Sequence, residues 1–298
     1  DLGVSCLKDL FERNKKINTK EIEGIVLGQV LTSGLGMNTA RQVALNSGML
    51  QSSFAYVVNQ VCGSGMRATI DGSSKIYSGE FDLLIVGGQE SMSRARHAYL
   101  SRTGGKKLGN NIFIDTLVND GLTDAFSNEH MGITAENVSR KYNVTRQEQD
   151  HFAYQSYLKT YKSIKNNYFK SELSKFPNKD EVRKDTTLVK LGQLKAVFKK
   201  SGTVTAGNAS SLNDGASFLA LASENYINSN KIKPIAKILS WASSAGSPDY
   251  MGVTPITAIQ KLMKKMGVNI SYFDLVEINE AFAATSIAVQ RSLKIDPN

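Results

Sequence analysis

Cysteine and histidine are the scarce residues of this chain. Among 298 residues there are two cysteines, Cys6 and Cys62, and three histidines, His97, His130 and His151. So few thiols exclude a disulfide framework and fit a reducing compartment, so a cytoplasmic location is expected. The histidines lie in dissimilar contexts without metal-ligand spacing, and no metal site is expected. No apolar run approaches the roughly 18 residues a membrane span requires, so no membrane partner is expected. Five prolines form no low-complexity linker, and no short-period repeat is visible. The net charge is +9, but the lysines are scattered, with no basic stripe and interleaved aromatics. That excludes nucleic acid as a partner and leaves a solvated lysine surface or the steering of a polyanionic small molecule. Gly34 and Gly36 are not followed by a third glycine and an acidic partner, so a dinucleotide fingerprint is missing too.

What is present is a series of strands alternating with helices, the pattern of an α/β protein with parallel sheet. Leu2, Cys6, Leu7, Leu10 and Phe11 share one face of a helix over Leu2–Asn14, which places Cys6 in the core. Ile22–Val30 reads as a strand, Thr39–Met49 as a helix and Phe81–Val86 as a buried strand. Met131–Tyr142 and Thr145–Tyr168 read as helices, the second opened by a capping box at Thr145 and Glu148. Ala216–Ala222, Pro234–Ala242 and Tyr272–Ile278 read as further strands, with helices over Thr254–Met266 and Glu280–Leu293.

The stretch from Phe54 to Arg67 carries the chemistry. Its apolar half, Phe54–Val61, predicts a strand, and Gly63 and Gly65 allow a sharp turn into a helix starting at Cys62. A cysteine at a helix start meets unpaired N–H groups and the positive end of the dipole, which favour the thiolate. On these residues alone, however, Cys62 fits a small core residue at least as well as a nucleophile.

Other stretches shift that balance. Asn59-Gln60-Val61-Cys62-Gly63-Ser64-Gly65-Met66-Arg67-Ala68 resembles the nucleophile motif of the thiolases. Gly87–Ser93, Gly121–Phe126 leading to His130–Asn137, Gly202–Ser210 and Asn279–Ala283 resemble four more motifs of that family, in the same order. The resemblance covers nearly the whole chain and is loosest over Lys175–Lys200. It implies a layered α/β fold of two similar βαβ-type halves with an inserted loop domain. Residues 1–91 with 213–234 would form the first half, and 92–212 the loop domain for CoA binding and tetramer assembly. Residues 235–298 would begin the second half. The many small residues after Cys62 suit a helix enclosed between two sheets.

The resemblance also implies an activity, the reversible Claisen condensation of two acetyl-CoA to acetoacetyl-CoA and CoA. Cys62 would carry the acyl group, and its N–H would serve the acyl-enzyme carbonyl. Asn279 would hold a water that polarises the second thioester, although as a residue it also fits a helix N-cap before Glu280. Leu122, His130, Met131, Arg183, Leu194, Phe198, Ala206, Ser210, Met251, Ala281 and Phe282 fall on positions that contact CoA or the acyl group. Lys190 stands where a small hydroxyl residue is common. His130-Met131 is the pair of the short-chain acetoacetyl-CoA enzymes. No cofactor is implied, since coenzyme A is substrate and product, and a homotetramer is the expected assembly. Family members begin with a strand ahead of the residue that is Asp1 here. They continue beyond Asn298 to Gly-His-Pro and Cys-x-Gly motifs that supply a base and a second cysteine. The chain therefore reads as an inactive fragment of a longer product. A broader 3-ketoacyl-CoA thiolase and an incomplete CoA-binding remnant are the alternatives. A ketoacyl-thioester synthase is disfavoured by Asn279–Ala283.

Overall fold

A computed structural model describes residues 1–102, 108–175 and 182–297. In chain order its main elements are α1 (Leu2–Arg13), β1 (Gly24–Gly28), α2 (Thr39–Asn46), β2 (Phe54–Val58), α3 (Ser64–Tyr77) and β3 (Leu83–Ser91). Two short strands, β4 (His97–Ala98) and β5 (Ile114–Asp115), precede α4 (Met131–Lys141), α5 (Arg146–Lys165) and α6 (Leu188–Gly192). Then come β6 (Asp214–Ala222), α7 (Glu224–Ser229), α8 (Thr254–Met266) and α9 (Ala283–Leu293). The chain groups into two units. One holds Asp1–Leu122, Leu173–Asn178 and Leu212–Ile238, and the other Thr123–Glu172, Lys179–Ser211 and Leu239–Asn298.

The first unit is built on a mixed sheet of order β2-β1-β3-β6, in which β1 runs parallel to β2 and β3 while β6 closes antiparallel on β3. The apolar run of β1 divides by the two-residue period of a strand. Ile25 and Leu27 face a core completed by Leu7, Val43, Ile85 and Phe218, whereas Val26 joins Ala68 and Val86 on the opposite face. Helices α1 and α2 therefore cover one face of the sheet and α3 the other. This is why the run is continuously hydrophobic. Cys6 lies half-buried in the first of these cores, as its place in the helical stripe predicts. Its thiol donates to the Ala216 carbonyl at 3.6 Å, and burial pushes its pKa up.

In the second unit α4 and α9 pack through Val138, Ile287 and Ala288, joined by Val144 just ahead of α5 and by the partly buried Phe152 on it. The capping box forms as expected: the Thr145 side chain accepts from the Glu148 N–H, and the Glu148 carboxylate accepts from the Thr145 N–H at 2.7 Å. Among the described residues no helix is long and apolar enough to cross a membrane.

Several expectations need correction. Strand β2 stops at Val58 and α3 starts at Ser64, so Cys62 lies ahead of the helix rather than opening it. Helix α9 begins at Ala283 with Phe282 in the cap position, so Asn279 is not an N-cap. Pro234–Ala242 and Tyr272–Ile278 contain no strand. Their side chains have the composition of strands, but a strand exists only through a hydrogen-bonded neighbour. Here Ile235 and Leu275 stand exposed instead. The small-residue helix α3 packs on one sheet, through β1 and β3, and the second sheet expected around it is not formed among the described residues. The hairpin expected at Tyr99–Ile114 and the loop at Lys175–Lys200 fall partly outside the described residues, at 103–107 and 176–181.

Candidate active site

The turn that carries Cys62 is fixed by its own backbone and two polar side chains. Asn59 Oδ1 accepts from the Val61 N–H at 2.9 Å, folding the chain back directly after β2. The Ser64 hydroxyl accepts from the Gln60 N–H at 2.9 Å and donates to the Val61 carbonyl at 2.6 Å. The Gly63 and Ser64 N–H groups donate to the carbonyls of Gln60 and Val61 at 3.0 Å each. Val61 is thereby held at a φ of 48°, in the left-handed region. A β-branched residue there costs on the order of 1–3 kcal/mol, and such strain concentrates at working sites. The outcome is an exposed Cys62 at the tip of a tight strand-to-helix turn.

That turn rests on a layer of glycines. A β-carbon on Gly28, the last residue of β1, would stand 2.4 Å from the Ser64 carbonyl carbon and 2.5 Å from the Gly65 nitrogen. One on Gly88 of β3 would stand 3.2 Å from the Gly28 oxygen and 3.5 Å from the Gly65 α-carbon. Only hydrogen at Gly28 lets the start of α3 lie directly on the strand end, while at Gly88 a β-carbon would be tight against the Gly28 oxygen and in ordinary contact with Gly65.

The second unit gathers another set of expected residues. His130 caps α4, with Nδ1 accepting from the Gly132 N–H at 3.0 Å. Its ring stacks on Phe198 with centroids 4.7 Å apart, and Phe198 meets Phe282 edge-on at 6.2 Å. Burial pushes the His130 pKa down from its ordinary value, and the Gly132 donor likewise favours the neutral ring. Met131, Ala281 and Phe282 join this cluster together with Ala135, Val204 and Ala209. A β-carbon on Gly132 would lie 2.3 Å from the Phe198 ring, so that glycine is what lets the aromatic seat form.

The turn at Thr203–Ser210 is joined to the segment before α9. The Ser210 N–H donates to the Ala281 carbonyl and the Ala283 N–H to the Asn208 carbonyl, both at 2.9 Å. Ala206 and Ser210 are exposed along it, and Leu194 is half-buried beside Gly207. Asn279 is exposed outside any helix or strand, and the neighbouring Glu280 accepts from the Ser156 hydroxyl at 2.6 Å. Arg183 and Met251 are exposed. Leu122 and Cys62 belong to the first unit. Among the described residues no group of histidine, cysteine and carboxylate side chains could hold a metal ion. Sequence reasoning missed Gly28, and it held Val61, Val204 and Ala209 only as members of motifs, with no role given to them. The first is one glycine at a strand end, and the others are ordinary apolar residues whose neighbours only the fold supplies.

Comparison with known proteins shows the family and the fold. Residues 1–225 match the thiolase N-terminal domain and residues 232–298 the thiolase C-terminal domain. Acetyl-CoA acetyltransferases of Rhizobium meliloti (strain 1021) and Shinella zoogloeoides are each 43% identical over the whole chain, which covers 78% of each. A probable acetyl-CoA acyltransferase of Staphylococcus aureus (strain COL) is 38% identical with the same coverage. Among solved structures, the Bacillus anthracis acetyl-CoA acetyltransferase superposes with a TM-score of 0.93 at 34% identity over 99% of this chain and 77% of its own. The Acat5 thiolase of Ascaris suum, crystallised with coenzyme A, gives 0.93 and 34% over 100% of this chain and 78% of its own.

Proposed function

The chain belongs to the thiolase family, and from that premise we propose that it is an acetyl-CoA acetyltransferase condensing two acetyl-CoA to acetoacetyl-CoA. In the reaction proposed, the Cys62 thiolate attacks the carbonyl of a CoA thioester, and the C–S bond to CoA breaks to leave an acetyl-cysteine. A general base then takes an α-proton from a second acetyl-CoA, and the carbanion attacks the acetyl carbonyl, forming the C–C bond as the C–S bond breaks and Cys62 leaves as thiolate. Each attack places negative charge on a carbonyl oxygen, so each calls for a donor aimed at it. The Cys62 N–H takes that role for the acyl-enzyme, and Asn279, through a water, for the second thioester.

The observation that carries this reading is the exposed thiol on a strained, glycine-seated turn. The acetyl preference rests on His130-Met131, the pair of the short-chain acetoacetyl-CoA enzymes, which here packs with Phe198 and Phe282. Arg183, Leu194, Phe198, Ala206 and Ser210 are assigned to the CoA arm, with Leu122, Met251 and Ala281 as further substrate contacts. The three-part domain division and a homotetramer belong to the same proposal. The Staphylococcus relative, named an acyltransferase, keeps a wider acyl range as a second reading.

The test is acyl trapping. The protein expressed from its complete gene is mixed with acetyl-CoA, quenched and digested, and an acetyl adduct is expected on the peptide containing Cys62. Cys62→Ala should carry no adduct and should lose CoA-dependent cleavage of acetoacetyl-CoA. Undiminished turnover in that variant would overturn the nucleophile assignment. Equal rates on acetoacetyl and longer 3-ketoacyl thioesters would favour the wider range.

A further inference from the structure

A buried carboxylate outside the residues assigned so far ties the parts of the second unit together. Asp150, on α5, is 5% exposed, and each of its oxygens has its own partner. Oδ2 accepts from Arg146 Nε at 2.8 Å and Oδ1 from Asn208 Nδ2 at 2.9 Å. Arg146 then donates through Nη2 to the carbonyls of Leu191 and Leu194, both at 2.8 Å, and so holds the end of α6. Asn208, 3% exposed, donates also to the Thr203 carbonyl at 3.1 Å and accepts from the Thr205 N–H at 2.8 Å. Its amide orientation is dictated, because a carboxylate and a carbonyl can only accept and an N–H can only donate. The backbone carbonyl of Asn208 accepts from the Ala283 N–H.

The two limbs held in this way touch. A β-carbon on Gly207 would lie 2.5 Å from the Leu191 and Leu194 methyl groups, so those side chains fill the space beside the turn. One carboxylate thus sets the Leu191–Leu194 limb, the Thr203–Ser210 turn and the entry to α9 relative to one another.

We propose that Asp150 is a positioning residue for the CoA-bearing substrate, fixing through Arg146 and Asn208 the two limbs that receive the CoA arm. The proposal rests on the acetyltransferase reading. Asp150→Asn keeps the volume but turns one acceptor into a donor. That donor must face either Arg146 or Asn208, so one limb is released whichever way the amide turns. Release of a limb should be felt by a substrate that spans it and not by one too short to reach it.

Acetylation of Cys62 is therefore measured with acetyl-CoA and with S-acetyl-N-acetylcysteamine, which lacks the adenosine and most of the pantetheine. In Asp150→Asn the ratio of kcat/KM for acetyl-CoA over the short thioester should fall by about tenfold, through KM, as loss of a charged hydrogen bond implies. Arg146→Lys, at the half-exposed end of the network, can still pair with Asp150 but cannot span both carbonyls. Its ratio should fall by about threefold, the effect of a single weaker bond. This second variant decides the question if Asp150→Asn does not fold. A ratio unchanged in the variants that fold, or an equal loss on both thioesters, overturns the positioning role. Failure of the unsubstituted protein to acetylate Cys62 with either thioester overturns the acetyltransferase reading itself, and is told apart because it precedes any substitution.

Discussion

Gly28→Ala places a methyl group where the start of α3 already lies. The added carbon would be 2.4 Å from the Ser64 carbonyl carbon and 2.5 Å from the Gly65 nitrogen. Ordinary carbon contacts sit at about 3.5–4.0 Å, so strand and helix must part by roughly 1 Å. Both contacted atoms are backbone, and no rotamer change can relieve them. Overpacking of this kind costs about 1–3 kcal/mol, and a backbone-on-backbone clash belongs at the upper end. Gly65→Ala is the matched control with the opposite sign. Its methyl would meet nothing within 4 Å, on a residue in the first turn of α3. Removing glycine's backbone freedom there should stabilise by about 0.5–1 kcal/mol. For a chain of this size each kcal/mol moves the thermal midpoint by about 2–4 °C. Circular dichroism should therefore show Gly28→Ala lowered by about 5–10 °C and Gly65→Ala raised by about 1–4 °C. Equal midpoints for the two variants would refute the close seat of the nucleophile turn on the strand ends.

Asn279→Ala should slow the condensation while labelled acetyl still accumulates on Cys62; if no label is trapped, its restriction to the second half-reaction is wrong. Glu136 accepts from the Thr203 and Val204 N–H groups and from the Thr203 hydroxyl. Glu136→Gln turns an amide toward those donors and should cost about 1–3 kcal/mol, read as a lower urea midpoint. A midpoint at the native value would show that the carboxylate does not hold the turn. The lowered His130 pKa means the folded state resists protonation. Its contribution is complete above the ordinary value of 6.5 and is lost as pH falls below it toward the folded pKa. His130→Asn keeps an acceptor for Gly132 but cannot titrate, so stability should fall less steeply on acidification. An identical slope in both proteins would count against the buried neutral ring.

Helices were the legible part of the fold. The stripe Leu7–Leu10, the capping box at Thr145 and the Thr254–Met266 helix could be read locally, because caps and a 3.6-residue period are written in neighbouring residues. Motif order singles out Cys62, His130 and Phe282, and the looser match over Lys175–Lys200 singles out Phe198. Strands were harder. Tyr272–Ile278 has a strand's composition, but pairing depends on a partner that no local pattern contains.

The sequence by itself determined the periodicities, the caps and which residue types stand beside the nucleophile, since all of these act over a few residues of chain. Only the tertiary structure decided that Cys62 precedes its helix, that Gly28 must lack a side chain, and that Asp150 faces Arg146 on one side and Asn208 on the other. The contact of Gly28 with Ser64 and Gly65 and the bond from Asn208 to Asp150 join groups far apart in sequence, and steric and hydrogen-bonding energies depend on the distances and angles that only the fold sets.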